Sequence, residues 1–288
     1  MRKLILVFIL VAIVLVTTAP ANADIEVTPY TTAEGLVNNI LGGGITASNF
    51  SYTGNPIASG FFTGGLDAGI NISSGILLTS GYASHVNGPT NDGDGITGDN
   101  GLGGDGQLDA LIPGYETYDA TILEFDFESA GGDLYFNYVF GSDEYNEWTN
   151  SAFNDVFGFF LDNVNIALLS DGVTPVSINN VNGGDPLGVD ASNPDLYNNN
   201  DPSDGGTFAF EYDGFTDVFV AQALGLSAGA HHIKLAIADA GDHILDSGVF
   251  IQSGTFSDDP TPVVPVPGAF LLGMLGLSVA GVKLRKHA

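Results

Sequence analysis

The chain contains no cysteine, so disulfides, cysteine-ligated zinc and thiol chemistry are all excluded. Its fold must be held by a core and, where oxygen ligands allow, by hard metal ions. Basic residues are nearly as scarce: six Lys and Arg stand against 34 Asp and Glu. Five of the six lie at the ends, Arg2 and Lys3 in front and Lys283, Arg285 and Lys286 behind, which leaves Lys234 alone in the acidic middle. A surface of that sign repels phosphates instead of releasing their counterions, which excludes nucleic acid as a partner. It also keeps a protein soluble in saline media. Long helical patterns are missing as well.

What is present at the two ends is hydrophobic. Arg2 and Lys3 precede an apolar run over residues 4–16, followed by the small-residue sequence Ala21-Asn22-Ala23. This is the layout of a secretory signal peptide over residues 1–23 with an A-x-A cleavage site at Ala21 and Ala23. The run is short for a membrane span of ~20 residues, so the mature chain is expected to start near Asp24, delivered by the export machinery. At the other end Pro260, Pro262, Pro265 and Pro267 mark residues 257–267 as a semi-extended spacer, because proline fixes φ and lacks a donor N–H. Residues 268–282 are then uninterruptedly apolar, and Lys283, Arg285 and Lys286 stop them. Such a helix can cross a thin bilayer, with its basic end kept in the cytoplasm and the acidic middle exported. Pro265-Val266-Pro267-Gly268, the apolar helix and the short basic tail over 268–288 resemble the PEP-CTERM sorting signal. That family's signal is read by an exosortase in Gram-negative bacteria. Val266 departs from it, standing where the namesake motif has glutamate.

Between the ends, 40 glycines and abundant Asn, Asp and Thr suit short strands joined by tight turns. One helix is expected near the start: Thr31 and Glu34 have capping-box spacing, Leu36, Val37, Ile40 and Leu41 share a face, and Gly42 to Gly44 end it. Apolar alternation or apolar runs predict strands at 121–127, 134–140, 156–161, 165–169, 207–212, 218–224, 233–239 and 249–256. The first two are expected to pair as a hairpin across Gly131-Gly132-Asp133. With strands and almost no helices, only another sheet can cover the core. Residues 24–256 are therefore expected to form one all-β domain, a two-sheet β-sandwich of jelly-roll type with one short N-terminal helix. Two long polar loops, 91–106 and 183–206, are expected at the surface.

Asp143, Glu144, Glu147, Asn154 and Asp155 gather carboxylate and amide oxygens between two strands, beside Trp148, the single tryptophan. Oxygens alone from several loop positions suit Ca²⁺, with Asp143, Glu144 and Asp155 as ligands. The same carboxylates could serve as acid and base on a glycoside, with Trp148 as a platform for the sugar. Plain turn chemistry on a solvated surface is the third reading. Asp239, Asp242 and Asp246, with His243, form a second candidate Ca²⁺ cluster. No G-x-S-x-G occurs to make a nucleophile elbow. Residues 92–95 begin like an EF-hand loop, but Ile96 and Thr97 hold the fifth and sixth positions, where an oxygen and a glycine are needed. Irregular calcium binding there stays open.

The blocks 140–147 (FGSDEYNE), 153–160 (FNDVFGFF), 176–182 (VSINNVN), 213–216 (DGFT) and 232–250 (HIKLAIADAGDHILDSGVF) together resemble the choice-of-anchor L domain of bacterial surface proteins. Gly141 and Asp143 stand where that family more usually has Ala and Glu. The resemblance implies a surface or matrix module and brings no catalytic residues. The expected protein is therefore exported and envelope-anchored and is not an enzyme. It would act by adhesion or by association with exopolysaccharide or matrix glycans, with an exosortase-like enzyme sorting its tail. The rival is a secreted calcium-dependent carbohydrate-active hydrolase.

Overall fold

A computed structural model of the protein describes residues 24–30 and 32–263. Thr31, the cleavage site at Ala21 and Ala23, and the sorting motif Pro265, Val266, Pro267 and Gly268 lie outside the described residues. Among those described, no helix is long and apolar enough to cross a membrane. The elements in chain order are β1 (Glu26–Pro29), α1 (Ala33–Ile40), β2 (Ile45–Thr53), β3 (Ser59–Thr63), α2 (Gly65–Ala68), β4 (Gly75–Thr79), α3 (Gly106–Leu111), β5 (Thr117–Ser129), β6 (Leu134–Ser142), β7 (Val156–Leu161), β8 (Val164–Asn165), β9 (Tyr197–Asn199), β10 (Gly214–Thr216), β11 (Phe219–Ala223), β12 (His231–Ala240) and β13 (Ser247–Gln252). They form two antiparallel sheets. Eight strands run in the order β1-β3-β4-β13-β6-β10-β9, with β11 also on β6, and five in the order β2-β5-β12-β7-β8.

The period-2 alternation that predicts the strands also decides how the sheets meet. Leu123, Phe125 and Phe127 of β5, Phe157 and Phe159 of β7, and Ile233, Leu235 and Ile237 of β12 share one buried cluster with Leu134, Phe136, Tyr138 and Phe140 of β6 and Val249 and Ile251 of β13. Tyr138 meets Phe157 and Phe159 edge-on, with centroids 5.3 and 5.0 Å apart. Such pairs contribute about 0.5–1.5 kcal/mol beyond the area they bury. This is the all-β, two-sheet architecture expected from the sequence.

Several strands are apolar on both sides because their outer faces are covered too. Leu77, Val139 and Phe250 on the back of the eight-stranded sheet pack under Ile70, Ile72, Phe210, Tyr212 and Phe215. On the back of the five-stranded sheet, Phe160, Ala236 and Ala238 lie under Leu108 of α3 and Ile112. The ammonium of Lys234 reaches the same face, where it donates to Asp105 (2.5 Å) and Gln107 (3.1 Å).

The hairpin expected between 121–127 and 134–140 does not form. β5 pairs with β2 and β12, while β6 pairs with β13, β10 and β11, so the turn carries the chain from one sheet to the other. Paired in one sheet, the two aromatic rows would lie side by side with nothing opposite; crossing over sets them face to face. The cap of α1 is Thr32, whose hydroxyl accepts from Gly35 N at 3.0 Å, one residue beyond the expected position. Its buried face is Leu36, Val37 and Ile40; Leu41, read with them, is the C-cap and is half-buried.

Two expected strands are replaced by asparagine side chains acting as local ladders. Asn200 accepts from Phe208 N (2.7 Å) and donates to the carbonyls of Phe210 and Tyr212 (2.9 Å each), so 207–212 has no strand neighbour. Asn165 accepts from Phe159 N and Ala167 N (3.0 Å each) and cuts 165–169 short. Asn200 and Asp201 are buried, so the 183–206 loop is not wholly at the surface. β1 to β4 are not legible: β2 is polar at most positions, and β1, β3 and β4 are only four or five residues long.

Candidate functional site

The strand ends at one pole of the sandwich carry the acids. Asp143 follows β6, Asp155 precedes β7, Asp213 precedes β10, Asp246 precedes β13, and Asp239 is the last residue but one of β12. Parity then sorts them into two layers. Asp155 continues the Phe157–Phe159 row and Asp239 the Leu235–Ile237 row, toward the space between the sheets. Asp143 has the parity of Val139, Asp213 that of Phe215 and Asp246 that of Phe250, toward the back of the eight-stranded sheet.

The inner layer closes the pole of the core with hydrogen bonds. Asp155 accepts from Ala240 N (2.8 Å) and from the Ser247 hydroxyl (2.6 Å), and the Ser247 and Ser142 hydroxyls lie 2.8 Å apart. Asp239 has an oxygen, Oδ1, that is buried without a partner.

The outer layer holds down the loop over residues 91–98. Asp143 accepts from Ile96 N, and Asp246 accepts from Gly98 N (2.6 Å), Tyr82 N (3.3 Å) and His85 Nδ1 (3.1 Å). Asp213 accepts from the Asn91 amide, and Glu211 accepts from Asp92 N at 3.0 Å. Further along, Asp119 accepts from Asn100 N (3.0 Å), Leu102 N (2.5 Å) and His243 Nδ1 (2.9 Å). Leu245, at φ +65°, sits in the left-handed region, which costs a non-glycine residue roughly 1–2 kcal/mol. It is held there by a bond from its N–H to Thr97 Oγ1 at 3.1 Å.

Beside these layers opens a cleft of about 350 Å³ lined by Asp94, Glu144, Trp148, Phe153, Asp242, Ile244 and Leu245. Trp148 is 43% exposed and stands edge-on to Phe153, with centroids 5.1 Å apart. Glu144, 1% exposed, leaves Oε2 without a partner. An indole wall beside carboxylates can take a sugar or a cation.

Burial pushes the carboxyls of Asp143, Glu144, Asp155 and Asp213 up, to about 8, 10, 7 and 10, and neighbouring carboxylates add to the rise. Asp239, fully buried and next to Asp155, is pushed well above the usual range for the same reasons. Among the described residues no Lys or Arg answers them, since Lys234 is taken up by Asp105. Carboxyls so placed must hold protons or share their site with a cation.

The structure thus brings Asp143, Glu144, Asp155, Asp239 and Asp246 to one pole, buried and not solvated, with Asp242 half-buried at the cleft rim. Among the described residues, no three of them place ligand atoms within 4.8 Å of one another. Glu147 is exposed, and Asn154 is buried and accepts from Asn179 N at 2.8 Å. Sequence reasoning missed Asp119, Asp201, Asp213, His85 and Asn91. Asp213 could have been found, since it opens the block 213–216. Among the described residues, two sets of side chains place ligand atoms within 4.8 Å of one another: Asp94, Asp201 and Asp213, and Asp99, Asp119 and His243. Neither is the expected set.

These features define a class: a cysteine-free, two-sheet antiparallel β domain whose acidic pole is roofed by a polar loop. The choice-of-anchor L domain matches residues 24–257, and the chain belongs to that family. Membership implies an exported, surface-anchored protein. No curated protein and no solved structure matches the chain.

Proposed function

We propose that the protein is an adhesive module of the cell envelope or extracellular matrix that holds polysaccharide in the Trp148 cleft and catalyses no reaction. The observation that carries this reading is the half-exposed Trp148 set beside Glu144, Asp94 and Asp242 in one cleft. An indole face receives the apolar face of a sugar ring, while carboxylates accept from its hydroxyls. Ca²⁺ is the proposed cofactor. The tail from Pro265 onward is proposed as a PEP-CTERM-like signal, read by an exosortase-like enzyme in a Gram-negative bacterium. It would give at least transient single-pass anchoring in the inner membrane.

A glycan array probed with the full chain and with Trp148→Ala, with and without calcium, tests the module. Selective glycan retention by the parent and its loss in the variant is the expected result; equal retention by both sinks the cleft as the binding site. The hydrolase remains the second reading, favoured by Glu144, whose raised carboxyl in an aromatic-walled cleft is what a general acid needs. Turnover of glycosides that disappears in Glu144→Gln would replace the first reading with the second.

A further inference from the structure

We propose that Asp94, Asp201 and Asp213 form a divalent-cation site, suited to Ca²⁺, that clamps the 91–98 loop onto the pole of the eight-stranded sheet. This deepens the cofactor reading above and stands apart from the glycan reading. The three side chains come from separate segments: the roof loop, the turn after β9, and the residue ahead of β10. Their ligand oxygens all lie within 4.8 Å of one another. Two oxygens bound to one Ca²⁺ at about 2.4 Å each are separated by no more than about 4.8 Å. The set therefore already has the span of a coordination shell.

A second observation points to the ion independently. Asp213 is 0% exposed, yet only Oδ1 is bonded, to the Asn91 amide; Oδ2 is buried with no partner. Beside it Asp143 is 1% exposed and its Oδ1 is also buried and unpartnered. An unmet acceptor of this kind costs about 1–3 kcal/mol, more when charged, and because the two carboxyls neighbour each other, either a proton shared between them or a cation must satisfy them. Asn91 donates to both Asp213 and the Asn200 carbonyl, at 3.2 Å to the latter, so the loop and the turn are already stitched together around the site. Asp201 is 1% exposed and Asp94 is exposed, so the ion would enter from the side of Asp94. Asp94 also lines the Trp148 cleft, so the bound ion would fix one wall of it.

The test uses the full chain in detergent micelles and Ca²⁺ itself as probe. Thermal unfolding and calorimetric titration are compared in calcium chloride and in sodium chloride of matched ionic strength. The expected result is a melting temperature higher in calcium than in matched sodium, and a Ca²⁺ affinity weakened about tenfold or more in Asp94→Asn and in Asp213→Asn. Asp67→Asn, which removes an exposed acid that belongs to neither set of ligand atoms, is expected to titrate like the parent. Asp94 is at the surface, so its variant keeps the test decisive if Asp213→Asn misfolds. An equal rise in both salts, or parent-like calcium binding by Asp94→Asn, overturns the proposal. Because no glycan is present, neither outcome depends on the polysaccharide reading.

Discussion

Ser247 at the start of β13 donates its hydroxyl to Asp155, the residue ahead of β7, at 2.6 Å, and so ties the eight-stranded sheet to the five-stranded one at the acidic pole. The other oxygen of Asp155 accepts from Ala240 at the end of β12. One buried carboxylate thereby joins three strand ends. Ser247→Ala leaves Asp155 Oδ2 without that donor, an expected loss of about 1–3 kcal/mol. For a domain of this size that lowers the melting temperature by about 2–12 °C. Calorimetry of the variant checks it, and an unchanged transition would show that the tie contributes nothing.

The Asp155–Asp239 pair sets a pH dependence. Burial holds Asp155 up to about 7 and Asp239 well above the usual range, whereas both titrate near about 3.9 in the unfolded chain. The folded state keeps protons that the unfolded state has released. The contribution is therefore fully present below about pH 4 and is lost as pH rises through 7 and beyond. In chelator, the melting temperature is expected to fall between pH 5 and 8, and Asp239→Asn to flatten that fall. A melting temperature that climbs across the same range contradicts the assignment.

Gly81 permits the close approach of Asp246. A Cβ there would lie 1.9 Å from the Asp246 carboxylate carbon, so Gly81→Ala must displace the group that holds Gly98 N and Tyr82 N. The expected loss is about 1–3 kcal/mol. A denaturant midpoint equal to the parent's would mean that the pole relaxes freely.

How much of this was legible follows from what each residue does. Rows such as Leu134, Phe136, Tyr138 and Phe140 announce both a strand and its buried face. The same rows, extended one step, reach Ser142, Asp155 and Asp239, so their burial was written in the parity, although charge suggested a solvated turn. The sheet assignment of β5 and β6 was not legible, because a short glycine turn serves a hairpin and a crossover equally well. Asn200 was unreadable for another reason: a side chain standing in for a strand leaves no periodicity. The partnership of Asp94 with Asp201 and Asp213 joins residues more than 100 positions apart, and only the fold brings them together.

The domain's last ties lie just beyond its last strand. Tyr135 N donates to the Ser257 carbonyl at 2.9 Å, and the Asn137 amide to the Thr261 carbonyl at 3.3 Å. A chain ending at residue 263 is expected to be soluble and to keep the parent's thermal transition, whereas one ending at 256 melts lower. Loss of folding in the 263 chain would place part of the C-terminal segment within the domain.

Trp148 is the only tryptophan in the chain, so its emission reports on the cleft and nothing else. Titration of the full chain with soluble polysaccharide from a producing bacterium, followed by tryptophan fluorescence, is the most direct measurement of adhesion at this site. A saturable blue shift, absent with unrelated polymer and reduced in Asp242→Asn, is the expected result. Binding of the polysaccharide with no change in Trp148 emission would contradict the assignment of the cleft.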